Sequence, residues 1–170
     1  MTEIKQVLYD LRMSYNGPFL VEELYKEVDS WIVENGFEKE HKKKMEHLTK
    51  TGKKIEWVTD IHSHLDEYNH GSIILRIQMD NIKHVTIKKD GKKYSINNGD
   101  VHVLVEGFIY GHMYGTFWAT RPIYRFFRTL IDRYIYNYWT DRFDGVVNTQ
   151  GRELFKRIQS FFKLQKYKYA

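Results

Sequence analysis

Apolar and polar side chains alternate over residues 55–65, with Ile55, Trp57, Thr59, Ile61, Ser63 and Leu65 on one face and Glu56, Val58, Asp60, His62 and His64 on the other. That period of two predicts a half-buried strand. Strand character also marks Ile4 to Leu11, which Asn16-Gly17-Pro18 should end. From Leu20 the period changes: Leu24, Tyr25, Val28, Trp31 and Ile32 recur at threes and fours, with acids between them, and Asn35-Gly36 supplies a stop. These positions predict an amphipathic helix. Residues 38–54 hold seven lysines, at 39, 42, 43, 44, 50, 53 and 54, and few large apolar side chains, so they predict a weakly structured or short-helical connector that can continue as a strand. After a turn at Tyr68-Asn69-His70-Gly71, strands are expected over 72–79 and 82–88. A hairpin turn at Asp90-Gly91 leads into 92–96, and a further turn at Asn98-Gly99 leads into 101–110. Pro122 opens a helical stripe of Ile123, Phe126, Phe127, Leu130, Ile131, Tyr134, Ile135 and Tyr138. Gly145 and Gly151 are expected to interrupt it before a second stripe of Leu154, Phe155, Ile158, Phe161 and Phe162.

Strand, helix, antiparallel meander and long helix, in that order, predict an α+β fold: a curved antiparallel sheet packed on a C-terminal helix, with one strand and one helix before it. A chain of 170 residues fits one domain, 1–170, and at this size can bury roughly 70% of the surface its unfolded form exposes. With 42% hydrophobic residues and two prolines the composition is globular. The absence of cysteine excludes disulfides, thiolate metal sites and cysteine nucleophiles. The alternating charge of Met1 to Gln6 does not match a signal peptide, and even Phe126 to Tyr138 is broken by Arg128, Asp132 and Arg133, too short a run to span a bilayer. A cytoplasmic protein is expected. Phosphate-binding and dinucleotide glycine loops, nucleophile elbows and internal repeats are not found.

The charge is unevenly placed. Residues 1–37 hold three basic and seven acidic side chains, net −4, which leaves +9 on residues 38–170 out of a total of +5. The basic pieces are Lys42-Lys43-Lys44 with Lys53 and Lys54, the hairpin Lys88, Lys89, Lys92 and Lys93, and the long-helix arginines Arg121, Arg125, Arg128 and Arg133. Lysines on a hairpin and arginines along a helix suit phosphate backbones, and Tyr167 and Tyr169 are available for stacking. A solvated surface that keeps a ring-rich protein soluble and guards sheet edges is the alternative. The string Asp60-Ile61-His62-Ser63-His64-Leu65-Asp66 is similar to the His-x-His start of metal-dependent amidohydrolases and related phosphoesterases, but those enzymes draw further ligands from far more chain than the 105 residues after Leu65. A smaller metal site joining His62 and His64 to His102 or Glu106 stays open beside solvated polar positions on an exposed face.

The element order resembles the helix-grip or START-like layout. Leu24-Tyr25, Gly36-Phe37-Glu38-Lys39-Glu40, Glu56-Trp57, Lys89-Asp90-Gly91-Lys92-Lys93, Gly99-Asp100, Pro122, Phe126-Phe127 and Asp132-Arg133-Tyr134 are similar to an uncharacterised family of small archaeal proteins of this length. The resemblance implies a cytoplasmic archaeal origin and assigns no catalytic residue. The leading expectation is a non-enzymatic basic protein that associates with RNA or the ribosome, with no cofactor. The alternatives are a carrier of a hydrophobic small molecule in a cavity between sheet and helix, and a structural homo-oligomer.

Overall fold

The computed structural model describes residues 2–67, 69–112 and 137–169. It shows an α+β chain whose elements are β1 (Thr2–Phe19), α1 (Val21–Glu34), β2 (Glu38–Thr49), β3 (Gly52–His64), β4 (Asn69–Lys89), β5 (Lys92–His112) and α2 (Asn137–Tyr169). The five strands form one antiparallel sheet in the order β1-β5-β4-β3-β2, the expected meander with the N-terminal strand added beside the last.

The alternation read along the chain decides the faces. Val101, Val103 and Val105 of β5 sit opposite Met79, Ile77 and Leu75 of β4, and these pair in turn with Ile55, Trp57 and Thr59 of β3. All nine are buried. Both helices pack on this face. α1 contributes Leu24, Val28, Trp31 and Ile32, and the Tyr25 ring meets Trp57 edge-on at 4.6 Å. Its end follows the expected signal: the Asn35 side chain donates to the Trp31 carbonyl at 2.8 Å and Gly36 takes the left-handed backbone at φ 67°. α2 contributes Val147, Leu154, Ile158 and Phe162, and the Phe162 ring stacks on Tyr15 at 4.6 Å.

Several expected breaks are absent. β1 continues through Asn16-Gly17-Pro18, where Pro18 pairs with Asn98, because among the described residues β1 is an edge strand, where proline is tolerated. β2 is a strand although all twelve of its residues are exposed, since β3 supplies its hydrogen-bond partners and its lysines line an open sheet edge. The two strands expected over 72–88 are one, carrying a bulge between Asp80 and Lys83 with Asn81 at φ 55°. Asn98-Gly99 is no turn. Gly99 lies in β5 against that bulge, where a Cβ would stand 2.8 Å from the Asp80 carbonyl oxygen.

The C-terminal helix departs most from expectation: it runs unbroken through Gly145 and Gly151, while the stripe 121–136 lies outside the described residues. Gly151 and Gly107 mark the crossing of α2 over β1 and β5. A Cβ on Gly107 would stand 2.9 Å from the Leu8 Cβ and 3.1 Å from Val147 Cγ1, and one on Gly151 would enter the Leu8 Cδ2. Burying the four α2 side chains gives roughly 6–12 kcal/mol gross, whereas an exposed ion pair gives about 0–1 kcal/mol. Packing therefore sets the helix position, and the clasp of Arg157 on Glu27 (2.6 Å) and Glu34 (3.0 Å) trims it. That clasp holds the Glu34 carboxyl below its ordinary value, so its stabilising effect is present above the ordinary carboxylate range and fades as pH falls through the lowered one.

The two glycine environments predict opposite outcomes. Gly107→Ala lowers stability by about 1–3 kcal/mol through overpacking. Gly145→Ala, with nothing within 4 Å of its Cβ, raises it by about 0.5–1 kcal/mol. Urea or thermal unfolding of the two variants checks both signs.

Candidate polyanion-binding surface

Beyond Asn97, where β1 ends its pairing, β4 and β5 continue, among the described residues, only with each other. The result is a two-stranded ribbon of about six residues a strand, or roughly 20 Å. Its turn is Asp90-Gly91, with φ 52° and 74°, a two-residue connection whose twist matches the strands. Residues 83–95 hold five lysines and one aspartate, and all but Ile87 are exposed.

The register places like charges opposite each other: Lys88 faces Lys93 and Lys89 faces Lys92. Directly opposed like charges destabilise an antiparallel pair. Among the described residues no acidic side chain forms an ion pair with Lys88, Lys92 or Lys93. Lys89 instead donates to the Lys168 carbonyl at 2.8 Å, which ties the ribbon to the C-terminal end of α2, where the helix dipole favours a cation. The ribbon face bearing Val85, Ile87, Lys89, Lys92 and Tyr94 thus turns toward the helix end. Lys166 and the exposed Tyr167 stand in the last turns of that helix.

The other expected lysines have a different setting. Lys43 bonds Glu56 at 2.7 Å, Lys42 bonds Glu40 at 2.6 Å, and Lys54 pairs with Asp80 at 3.4 Å. Lys53 pairs with Glu46. Lys44 lies over the Tyr25 ring, 4.3 Å from its centroid; burial, then the charge of Glu46, push the Tyr25 hydroxyl up to about 12. Lys42, Lys43, Lys53 and Lys54 are thus neutralised by carboxylates of the sheet, and Lys44 is held by a ring. Arg121, Arg125, Arg128 and Arg133 lie outside the described residues. Arg157, one of the cations near the C-terminus, serves as the clasp between helices.

The sheet face away from the helices carries an open groove of about 510 Å³ across β1, β5, β4 and β3, lined by Arg12, Ser14, His102, Leu104, Arg76 and Gln78 among others. Arg12 pairs with Asp10 at 3.2 Å and Arg76 with Glu106 at 3.8 Å. Alternation along β1 and β4 places both arginines on this face, although neither stands in a run of basic residues.

The histidines do not gather as one group. His62 lies 3.6 Å from Glu40 and 3.7 Å from Asp60, His64 meets His70, and His102 bonds Ser14 at 2.9 Å two strands away. Asp60 is buried and accepts from Ser72. Among the described residues no cluster of three or more metal-ligating side chains forms, and no helix is long and apolar enough to cross a membrane. Comparison of the chain with protein-family models, with curated proteins and with solved structures finds no match in any of the three.

The contrast between the two lysine groups is measurable without any partner. Lys93→Glu, opposite Lys88, raises stability at low salt by about 0.2–1 kcal/mol, while Lys53→Glu, which breaks the diagonal ion pair with Glu46, lowers it by a similar amount. Thermal unfolding in low and high salt reads both, and salt shrinks both effects.

Proposed function

We propose that this protein binds RNA without base specificity, and that the β4–β5 ribbon is its principal contact. The observation that carries the reading is the pair of lysine–lysine registers at the ribbon tip. They destabilise the free ribbon and lose that penalty when a phosphate backbone lies against them, so the favourable electrostatics belong to the complex rather than to the free chain. The exposed Tyr94 and Tyr167 add rings on which unpaired bases can stack. A large ribonucleoprotein, the ribosome above all, is the natural partner class, because a projecting arm reaches between RNA helices that the sheet itself does not approach. The groove arginines stay neutralised by Asp10 and Glu106 and play the lesser part.

A hydrophobic-carrier function draws less support. It needs space between sheet and helix, and in the described region that contact is filled by Leu8, Val105 and Val147 and by the rings of Tyr15, Phe19 and Phe162.

Binding of a fluorescently labelled single-stranded RNA, followed by anisotropy across a potassium chloride series, tests the proposal. Each lysine–phosphate contact adds about 0.7 to the slope of log affinity against log salt on a single strand. The variant with Lys88, Lys89, Lys92 and Lys93 all changed to Gln therefore loses about 3 from the slope, and the Lys43→Gln, Lys54→Gln variant loses little. Equal slopes for the wild type and the four-lysine variant, or no binding at low salt, overturn it.

A further inference from the structure

The β3–β4 connection brings together two side chains that the sequence keeps apart. A turn was expected at 68–71. The chain instead turns between Leu65 and Asn69, with the Leu65 and Asp66 N–H groups donating to the Asn69 carbonyl at 3.1 and 3.2 Å and the Asn69 N–H donating back to the Asp66 carboxylate at 2.8 Å. His70 and Gly71 therefore belong to β4, and the register sets His64 directly opposite His70. Their Nδ1 atoms are 3.1 Å apart with ring planes at 75°.

Two imidazole nitrogens at that separation cannot both present lone pairs, nor both carry protons, so one electrophile must sit between them. In the free protein it is the N–H proton of one ring, donated to the lone pair of the other. We propose that a divalent transition ion takes its place, making His64 and His70 a cross-strand chelate for a borderline metal such as Zn²⁺ or Cu²⁺, with water or a ligand's own donor in the remaining positions. At metal–nitrogen bonds of about 2.0–2.1 Å, the 3.1 Å spacing corresponds to a nitrogen–metal–nitrogen angle of about 100°, between the octahedral and tetrahedral values. Antiparallel register and the turn fix both rings before binding, so little freedom is lost on chelation. Asp66 is held by the Asn69 backbone and amide and by Arg142 at 3.2 Å. The pair thus offers two neutral nitrogen ligands, a donor set that favours Cu²⁺ and Zn²⁺ over the oxygen-seeking Mg²⁺.

Isothermal titration of the full chain with Cu²⁺, Zn²⁺ and Mg²⁺, each alone, reads the site. One equivalent of Cu²⁺ binds most tightly, Zn²⁺ less so and Mg²⁺ not at all. His64→Ala and His70→Ala each weaken Zn²⁺ binding about tenfold or more, while His102→Ala, remote from the pair, leaves it unchanged. Affinity falls as the solution is acidified, because protons compete with the metal for the same lone pairs. Imidazole nitrogen spectra of the folded wild type provide a readout that does not depend on the variants folding: the His64 and His70 signals shift on Zn²⁺ addition and that of His102 does not. Zn²⁺ affinity unchanged from wild type in the two alanine variants, unshifted His64 and His70 signals, or no binding of Cu²⁺ or Zn²⁺ would leave the pair a simple hydrogen bond and overturn the proposal. None of these outcomes bears on RNA binding by the ribbon.

Discussion

The close crossing of α2 over β1 and β5 is the contact on which the rest of the molecule depends. Leu8 sits at its centre, reached from one side by Gly107 of the sheet and from the other by Gly151 of the helix. Both glycines are required by proximity rather than by backbone conformation. Because backbone approaches side chain so closely there, Val147, Leu154, Ile158 and Phe162 descend onto the valine face of β5, and the ring cluster of Tyr15, Phe19 and Phe162 closes behind them. With one sheet face sealed in this way, the charged side chains of the central strands are left to the other face and to whatever projects past the helix.

The β4 bulge decides what projects. At Asp80 to Lys83 an extra residue enters β4, and past that point β3 has no partner for it and β1 soon runs out. Among the described residues, the ribbon so released has no acidic strand beside it. A lysine in β2 or β3 finds a carboxylate on a neighbouring strand, as Lys43 finds Glu56 and Lys54 finds Asp80. A lysine at the ribbon tip finds another lysine. The same residue type therefore has opposite meaning in two places, and the difference comes from register and strand count rather than from local composition.

This is also why the chain was only partly legible. α1, the β3 alternation and the Asp90-Gly91 hairpin are written in local periodicity and turn chemistry, and they appear where those signals placed them. β2 carries no such signal: its polar residues on both faces become a strand because β3 offers hydrogen bonds. Asn98-Gly99 has the composition of a turn, yet its glycine answers a bulge on the facing strand. Gly145 and Gly151 look alike in sequence, and only the second touches the sheet. Among the site residues, the hairpin lysines were visible as a run. Their mutual opposition was not, and neither was His70, hidden by a turn placed two residues too late.

The ribbon tip and the His64–His70 pair lie at opposite ends of β4, which runs from Asn69 to Lys89. Some nineteen residues of extended chain separate them, roughly 60 Å if straight, far beyond the ~10 Å Debye length at moderate salt. A cation bound at the histidines therefore cannot act on the lysines through space. Coupling would require a strand with two discrete arrangements, and the middle of β4 is held on both sides by β3 and β5 and covered by the core. A rigid connector of this kind makes the two proposed sites independent of one another.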